Sequence, residues 1–282
     1  MDHRNGAIAR QIIVQQNEDG TWGNEFHSLA VPTNRYPLTT EQALRRLKIL
    51  GYTVDDAPIR KAIDCMTACL RHEREIDNYW EKTLDWELYT QLMLSTWVKI
   101  FDPENELALA FARKWANVIE ATFESGEADN KAYRDAYTKE FQSKAKAPRE
   151  VDFVVFYVIS LLQGLLTVNT ERRMLDYVIS YPRGIYYIYE KPINQLPEDF
   201  HTRQASCYLA AIELLAEYKT AKEKLGFVAD WLEKNKDENG QWDMGTKVKD
   251  NIYFPLSDSW RKETYRKEDC TQRITELLKK LK

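Results

Sequence analysis

The chain has 282 residues, 44% of them apolar and 30% charged, with a formal net charge of −4. That balance excludes a disordered chain, and the lack of a basic excess argues against a nucleic-acid partner. Only 10 Gly and 9 Pro stand against 8 Trp, 16 Tyr and 10 Phe, which disfavours an all-β fold of tight turns and leaves many rings to fill a core or line a cavity.

The opening residues, Met1 to Gly6, hold no apolar run of signal-peptide length. A short apolar helix is predicted over 7–14. Over 39–50, apolar residues fall at Ala43, Leu44, Leu47 and Leu50, the spacing of one helix face, and Gly51 then supplies a stop. Residues 57–70 place Ile59, Ala62, Ile63, Met66, Cys69 and Leu70 on one face. Residues 86–101 and 104–123 form the next pair, broken at Asp102-Pro103. A more polar helix is predicted over 125–146. Residues 151–166 and 171–180 form a further pair, then 200–218 and 219–234, and 269–281 closes the chain. The only β-like run is 184–189. The longest apolar stretch, 153–168, is interrupted by Ser160, Gln163 and Gly164 and is shorter than the ~20 residues of a membrane span. It reads as a helix buried on most sides. Cys65, Cys69, Cys207 and Cys270 are scattered in helical contexts, so a reducing cytoplasm is expected and a disulfide framework is not.

Helices in pairs call for a search for internal repeats. Gln16-Asn17-Glu18-Asp19-Gly20-Thr21-Trp22-Gly23 follows the first helix. Lys236-Asp237-Glu238-Asn239-Gly240-Gln241-Trp242 follows a helix containing Trp231-Leu232. Each is a helix end, a cluster of acids and amides, then Gly-x-Trp. Glycine can reverse the chain at positive φ, and the tryptophan can fold back over the turn. These residues resemble the QW-type repeats of the terpenoid cyclase and prenyltransferase superfamily, and residues 38–70 are similar to a hairpin of that group. The resemblance implies an all-α fold, an α/α toroid of helical hairpins, as a single domain over 1–282.

In such a toroid, alternate helices line the inside. Five segments mix charge with aromatics where a helix begins: 34–40, 82–89, 147–153, 198–203 and 254–261. If these open the inner helices, one mouth gathers Arg35, Tyr36, Asp85, Trp86, Glu87, Arg149, Glu150, Asp152, His201, Arg203, Trp260 and Arg261. Converging helix N-termini and arginines favour an anionic group, and the aromatics suit an apolar body or a sugar face. Asp85, Glu87, Asp152 and His201 are the candidate catalytic groups. Arg35, Tyr36, Trp86, Arg149, Arg203, Trp260 and Arg261 are the candidate ligand contacts. For any one of these residues, helix capping is the competing explanation.

The reactions of the resembled family meet gaps. Thr53-Val54-Asp55-Asp56 lacks the first carboxylate of a cyclase Asp-x-Asp-Asp acid, and its place before Ala57-Pro58 reads as a helix cap. No Asp-Asp-x-x-Asp and no Gly-x-Ser-x-Gly occurs. Cys65, Cys69 and His72 share a helix face, but the cysteines lie on its apolar stripe, so no metal or cofactor is expected. The expectation is a small-molecule enzyme or binding protein of unspecified reaction, with an anionic ligand and no membrane-spanning segment. The alternatives are a glycan-active toroid using carboxylates at the mouth and a protein-binding scaffold.

Overall fold

The computed structural model describes residues 3–28, 38–76, 85–146, 150 and 152–282. Among these the fold is all-helical, with twelve α-helices and no strand. In chain order they are α1 (Ala7–Ile13), α2 (Thr40–Ile49), α3 (Ala57–Leu70), α4 (Trp86–Phe101), α5 (Glu106–Thr122), α6 (Asn130–Phe141), α7 (Phe156–Leu161), α8 (Val168–Ser180), α9 (Arg203–Leu215), α10 (Ala221–Lys224), α11 (Gly226–Lys234) and α12 (Glu263–Leu281). No helix of the described residues is long and apolar enough to cross a membrane.

The chain divides into two compact units, one of Met1–Tyr79, Pro197–Leu209 and Asp230–Lys279, the other of Trp80–Leu196, Ala210–Ala229 and Lys280–Lys282. The first unit joins the two ends of the sequence. The His3 ring meets the Gln272 side chain at 3.0 Å, the Ala7 N–H donates to Asp258 at 2.6 Å, and the Arg46 guanidinium donates to the Ile252 and Pro255 carbonyls. Helix α2 begins with a reciprocal box in which Thr39 accepts from the Gln42 N–H and Gln42 accepts from the Thr39 N–H.

Both Gly-x-Trp turns lie in this unit, and they are built alike. The Asn17 N–H donates to the Thr21 carbonyl at 2.9 Å, and the Asp237 N–H to the Gln241 carbonyl at 2.8 Å. The indole N–H of Trp22 donates to the Ile12 carbonyl at 2.8 Å, and that of Trp242 to the Leu232 carbonyl at 2.7 Å. Each ring therefore donates to a carbonyl in the last turn of the preceding helix, one that also accepts the Gln15 or Asn235 backbone N–H. The two tryptophan backbone N–H groups donate to threonine hydroxyls, Thr40 at 2.9 Å and Thr271 at 3.0 Å. Gly20 has φ +96, and a Cβ there would lie 2.5 Å from the Lys61 carbonyl oxygen, so α3 closes against bare backbone.

The second unit holds α4 to α8 and α10. Asp85, Asn105, Asp129 and Thr167 cap α4, α5, α6 and α8 through their side chains. Helix α5 packs on α4, α6 and α8, α4 packs on α7, and α8 on α10. Trp115 fills the α5–α6 contact, 5.7 Å from Tyr137 and 5.1 Å from Phe141 between ring centres.

Several predicted boundaries need correction. Helices α3 and α4 have the expected limits. The buried helix expected over 151–166 is only the six residues of α7, because the chain before it is extended and pairs with another segment. The Tyr186 N–H donates to the Val154 carbonyl at 3.1 Å and the Phe156 N–H to the Tyr186 carbonyl at 3.2 Å. Residues 219–234 split into α10 and α11 at Leu225-Gly226. Helix α12 starts at Glu263, a turn and a half before 269, in a polar stretch without apolar spacing. Asp56 does occupy the cap position of α3, yet it accepts no helix N–H. Its carboxylate takes the Thr53 N–H at 2.7 Å and pairs with Arg4.

The turns carry an acid sensitivity. Burial would raise Asp19, but the Thr21 hydroxyl and N–H and the Arg74 guanidinium outweigh it and hold it below the ordinary carboxylate value. The Gln241 and Asn239 N–H groups lower Asp237. Burial opposes and the two-pronged Arg266 contact, with the Gly245 N–H, wins at Asp243. A carboxylate whose folded pKa is depressed stabilises the fold above its unfolded pKa of about 4, and that stability is lost as pH falls further toward the folded value. Urea midpoints should therefore hold down to about pH 4 and drop below it. Asp243→Asn should flatten that drop; equal slopes in both proteins would show that the contact does not couple to stability.

Candidate functional site

The five charged and aromatic helix starts fall into both units, and each unit is described by itself. Arg35, Tyr36 and Arg149 lie outside the described residues.

In the second unit, Asp85 sits at the head of α4 with both carboxylate oxygens engaged. One accepts the Leu88 N–H at 3.2 Å, the other the Ser143 hydroxyl at 2.7 Å. The Asp85 N–H in turn donates to the buried Glu150 at 2.7 Å, whose other oxygen accepts the Lys146 N–H. Asp152 accepts from the Val154 N–H at 3.0 Å, the Tyr181 hydroxyl at 2.6 Å and the Arg183 guanidinium at 2.9 Å. Burial first, and then this carboxylate as acceptor, push the Tyr181 phenol up to about 12. Glu87 is exposed. Asp85, Glu150 and Asp152 hold neighbouring segments in place.

What they position is an aromatic wall. Trp86, half-buried in the first turn of α4, lies 5.6 Å from Tyr89 one turn on. Tyr89 meets Tyr157 of α7 edge-on at 5.8 Å, and Tyr157 meets Tyr187 at 5.5 Å. The Tyr89 and Tyr187 hydroxyls are 2.6 Å apart, and Tyr186 lies 4.3 Å from Tyr187. Tyr187 has φ +74, the left-handed region that a bulky residue occupies only under strain of about 1–3 kcal/mol. The loop around it is tightly built. Ile185 and Tyr189 exchange backbone hydrogen bonds at 2.8 and 3.0 Å, and a Cβ on Gly184 would lie 2.2 Å from the Tyr189 carbonyl oxygen. The β-like run read at 184–189 is thus a tight loop with isolated bridges, and it delivers Tyr186 and Tyr187 to the wall. Tyr89, Tyr157 and Tyr187 escape a sequence reading because their meeting depends on the packing of α7 on α4 and on this loop; the Tyr186-Tyr187 pair after Gly184 is the one local signal.

In the first unit, His201 is exposed, 3.3 Å from Asp199, with its ring over Gly245. Thr202 caps α9 by accepting the Ala205 N–H, and Arg203 is exposed in its first turn. Trp260 is buried and donates its indole N–H to Asp269 at 2.6 Å, while Arg261 is exposed. Two clefts flank the Gly-x-Trp turns. One of about 380 Å³ is lined by Asn17, Asp19, Trp22, Thr40, Arg74 and others, and one of about 530 Å³ by His3, Gln241, Glu268, Gln272 and Glu276 among others. Cys65 and Cys69 are buried on the inner face of α3. No family model, curated protein or solved structure matches this chain.

Proposed function

We propose that this chain is a small-molecule enzyme or binding protein built as an α/α toroid of the terpenoid-cyclase type, whose ligand rests an apolar body against the aromatic wall at the start of α4. The strained Tyr187 carries this reading. A bulky residue at φ +74 is retained where its surroundings fix it, and here they are Tyr89, Tyr157 and Tyr186, next to the half-exposed Trp86. Such strain gathers at ligand sites. The like-built Gly-x-Trp turns and the pairing of the chain ends in one unit support the toroid. The glycan reading is weaker, since Asp85 and Asp152 each have both oxygens occupied by neighbours and neither is poised to act on a sugar.

Farnesol serves as the apolar probe and a uronate disaccharide as the glycan probe, with tryptophan fluorescence as the readout. Farnesol is expected to quench saturably, and Trp86→Phe to remove much of the quench. Tyr187→Gly is expected to weaken binding roughly tenfold, a loss of about 1.4 kcal/mol. Glycine takes a positive φ without strain, so its melting temperature should fall less than ring loss alone would cause. A saturable signal from the disaccharide alone, or wild-type affinity in both variants, would remove the aromatic wall as the site.

A further inference from the structure

The two Gly-x-Trp turns differ just before their glycines, where the first has Asp19 and the second Asn239. Asparagine followed by glycine is prone to self-attack, because no Cβ hinders the glycine nitrogen or restricts its approach to the asparagine side chain. The chain holds two such pairs, Asn5-Gly6 and Asn239-Gly240, and their surroundings set them apart.

Asn239 and Gly240 are both exposed. The Asn239 N–H donates to Asp237 at 2.9 Å, while its side-chain amide has no hydrogen-bond partner among the described residues. A Cβ on Gly240 would meet nothing within 4 Å. The Gly240 N–H donates to the Asp237 carbonyl at 3.0 Å, and this bond has to open before the nitrogen is free. An exposed backbone hydrogen bond of this kind is among the first to open in the native state. The other pair is clamped. Gly6 is the N-cap of α1, and a Cβ there would lie 2.8 Å from the Asp258 carboxylate that receives the Ala7 N–H at 2.6 Å. The first turn is held as well. Gly20 stands against α3, Arg74 pairs with Asp19 at 2.7 Å, and Lys61 donates to the Asn17 carbonyl at 3.2 Å.

We propose that Asn239 is a self-modification site, at which the second turn deamidates and loosens its hold on Trp242. The Gly240 nitrogen attacks Asn239 Cγ and gives up its proton, the Cγ–Nδ2 bond breaks, and ammonia leaves with that proton. Water then opens the resulting five-membered imide at either carbonyl. One opening leaves aspartate. The other leaves isoaspartate, whose main chain runs through Cβ and Cγ. The sum is one water taken up and one ammonia released, with no oxidant or reductant. Isoaspartate adds a methylene to the backbone between Asp237 and Gln241, whose N–H and carbonyl meet at 2.8 Å to close the turn. The Asp237 carboxylate, which accepts the Asn239 and Gln241 N–H groups at 2.9 Å each, also gains a negative neighbour. Trp242 depends on that closure to reach the Leu232 carbonyl and the Thr271 hydroxyl. The aromatic wall takes no part, so this site and the ligand reading stand or fall separately.

Ageing the folded protein in warm, mildly alkaline buffer made with heavy-oxygen water gives the test, read by peptide mass spectrometry. The peptide holding Asn239 is expected to take up one heavy oxygen and to split into aspartate and isoaspartate forms. The peptide holding Asn5 should convert at least roughly tenfold more slowly, the factor that about 1.4 kcal/mol of extra local opening cost gives. Asp19 should yield no isoaspartate. In Asn239→Gln, whose longer side chain closes a ring far more slowly, the urea midpoint should hold with age, while that of the wild-type protein falls as the modified fraction grows. Conversion of Asn5 as fast as Asn239, or no conversion of Asn239, would overturn the proposal. So would a modified fraction with the urea midpoint of the fresh protein, or equal drift in Asn239→Gln.

Discussion

Trp22→Ala is expected to lower the unfolding free energy by roughly 3–5 kcal/mol, and Trp242→Ala by a similar amount, as truncation of a buried aromatic does. The rings are 1% and 3% exposed. Each substitution removes the packing of the largest side chain and also strips the Ile12 or Leu232 carbonyl of its only indole donor. The loss therefore has two parts that can be separated. Trp22→Phe keeps most of the volume and drops the N–H, so it should cost much less than the alanine. Thr40→Val and Thr271→Val remove the hydroxyls that accept the tryptophan backbone N–H groups and should cost about 1 kcal/mol each. Urea titration of the six proteins tests the account. The two turns are built alike, so matched losses at the two positions are the distinctive outcome. A near-neutral Trp242→Ala beside a damaging Trp22→Ala would mean that the second turn is a likeness of sequence without the same structural duty.

These turns were legible in the sequence because the parts that shape them are local: a glycine for positive φ, a ring two residues on, and a helix end ten residues back; only their threonine partners, Thr40 and Thr271, come from farther along the chain. The limits of α3 and α4 were legible for a similar reason, since apolar spacing and Pro or Asp at the start settle them. The failures have non-local causes. Residues 152–155 belong to an apolar run that reads as helix, yet they stay extended because Tyr186, thirty residues on, completes their hydrogen bonding. The split at Leu225-Gly226 follows from glycine's poor helix propensity within an otherwise periodic stretch. At the aromatic wall, Trp86 stood out by its place at a helix start, whereas Tyr157 is brought to it by the packing of α7 on α4 and Tyr187 by the 184–189 loop.

Trp260 leads to the other large effect. Its indole donates to Asp269 Oδ2 at 2.6 Å, and the same oxygen accepts the Leu256 N–H at 2.8 Å, the Ser257 N–H at 2.9 Å and the Ser257 hydroxyl at 2.8 Å. One buried carboxylate oxygen thus ties the 256–260 segment to α12. Asp269→Ala leaves four buried donors without an acceptor and is expected to cost about 4 kcal/mol or more, in the range reserved for broken buried networks. Asp269→Asn keeps an acceptor oxygen but loses the charge, and charge-assisted bonds are about twice as strong as neutral ones, so about 2 kcal/mol is expected. Trp260→Phe drops a single donor and should cost less than either. The order alanine, asparagine, then phenylalanine in denaturant midpoints is the test, and the asparagine variant carries it if the alanine protein does not fold. Wild-type stability in Asp269→Asn would show that the charge is not what anchors the segment. It would also return Trp260 to the set of side chains available to a ligand, because an indole that the fold does not depend on is one that can be spent on binding.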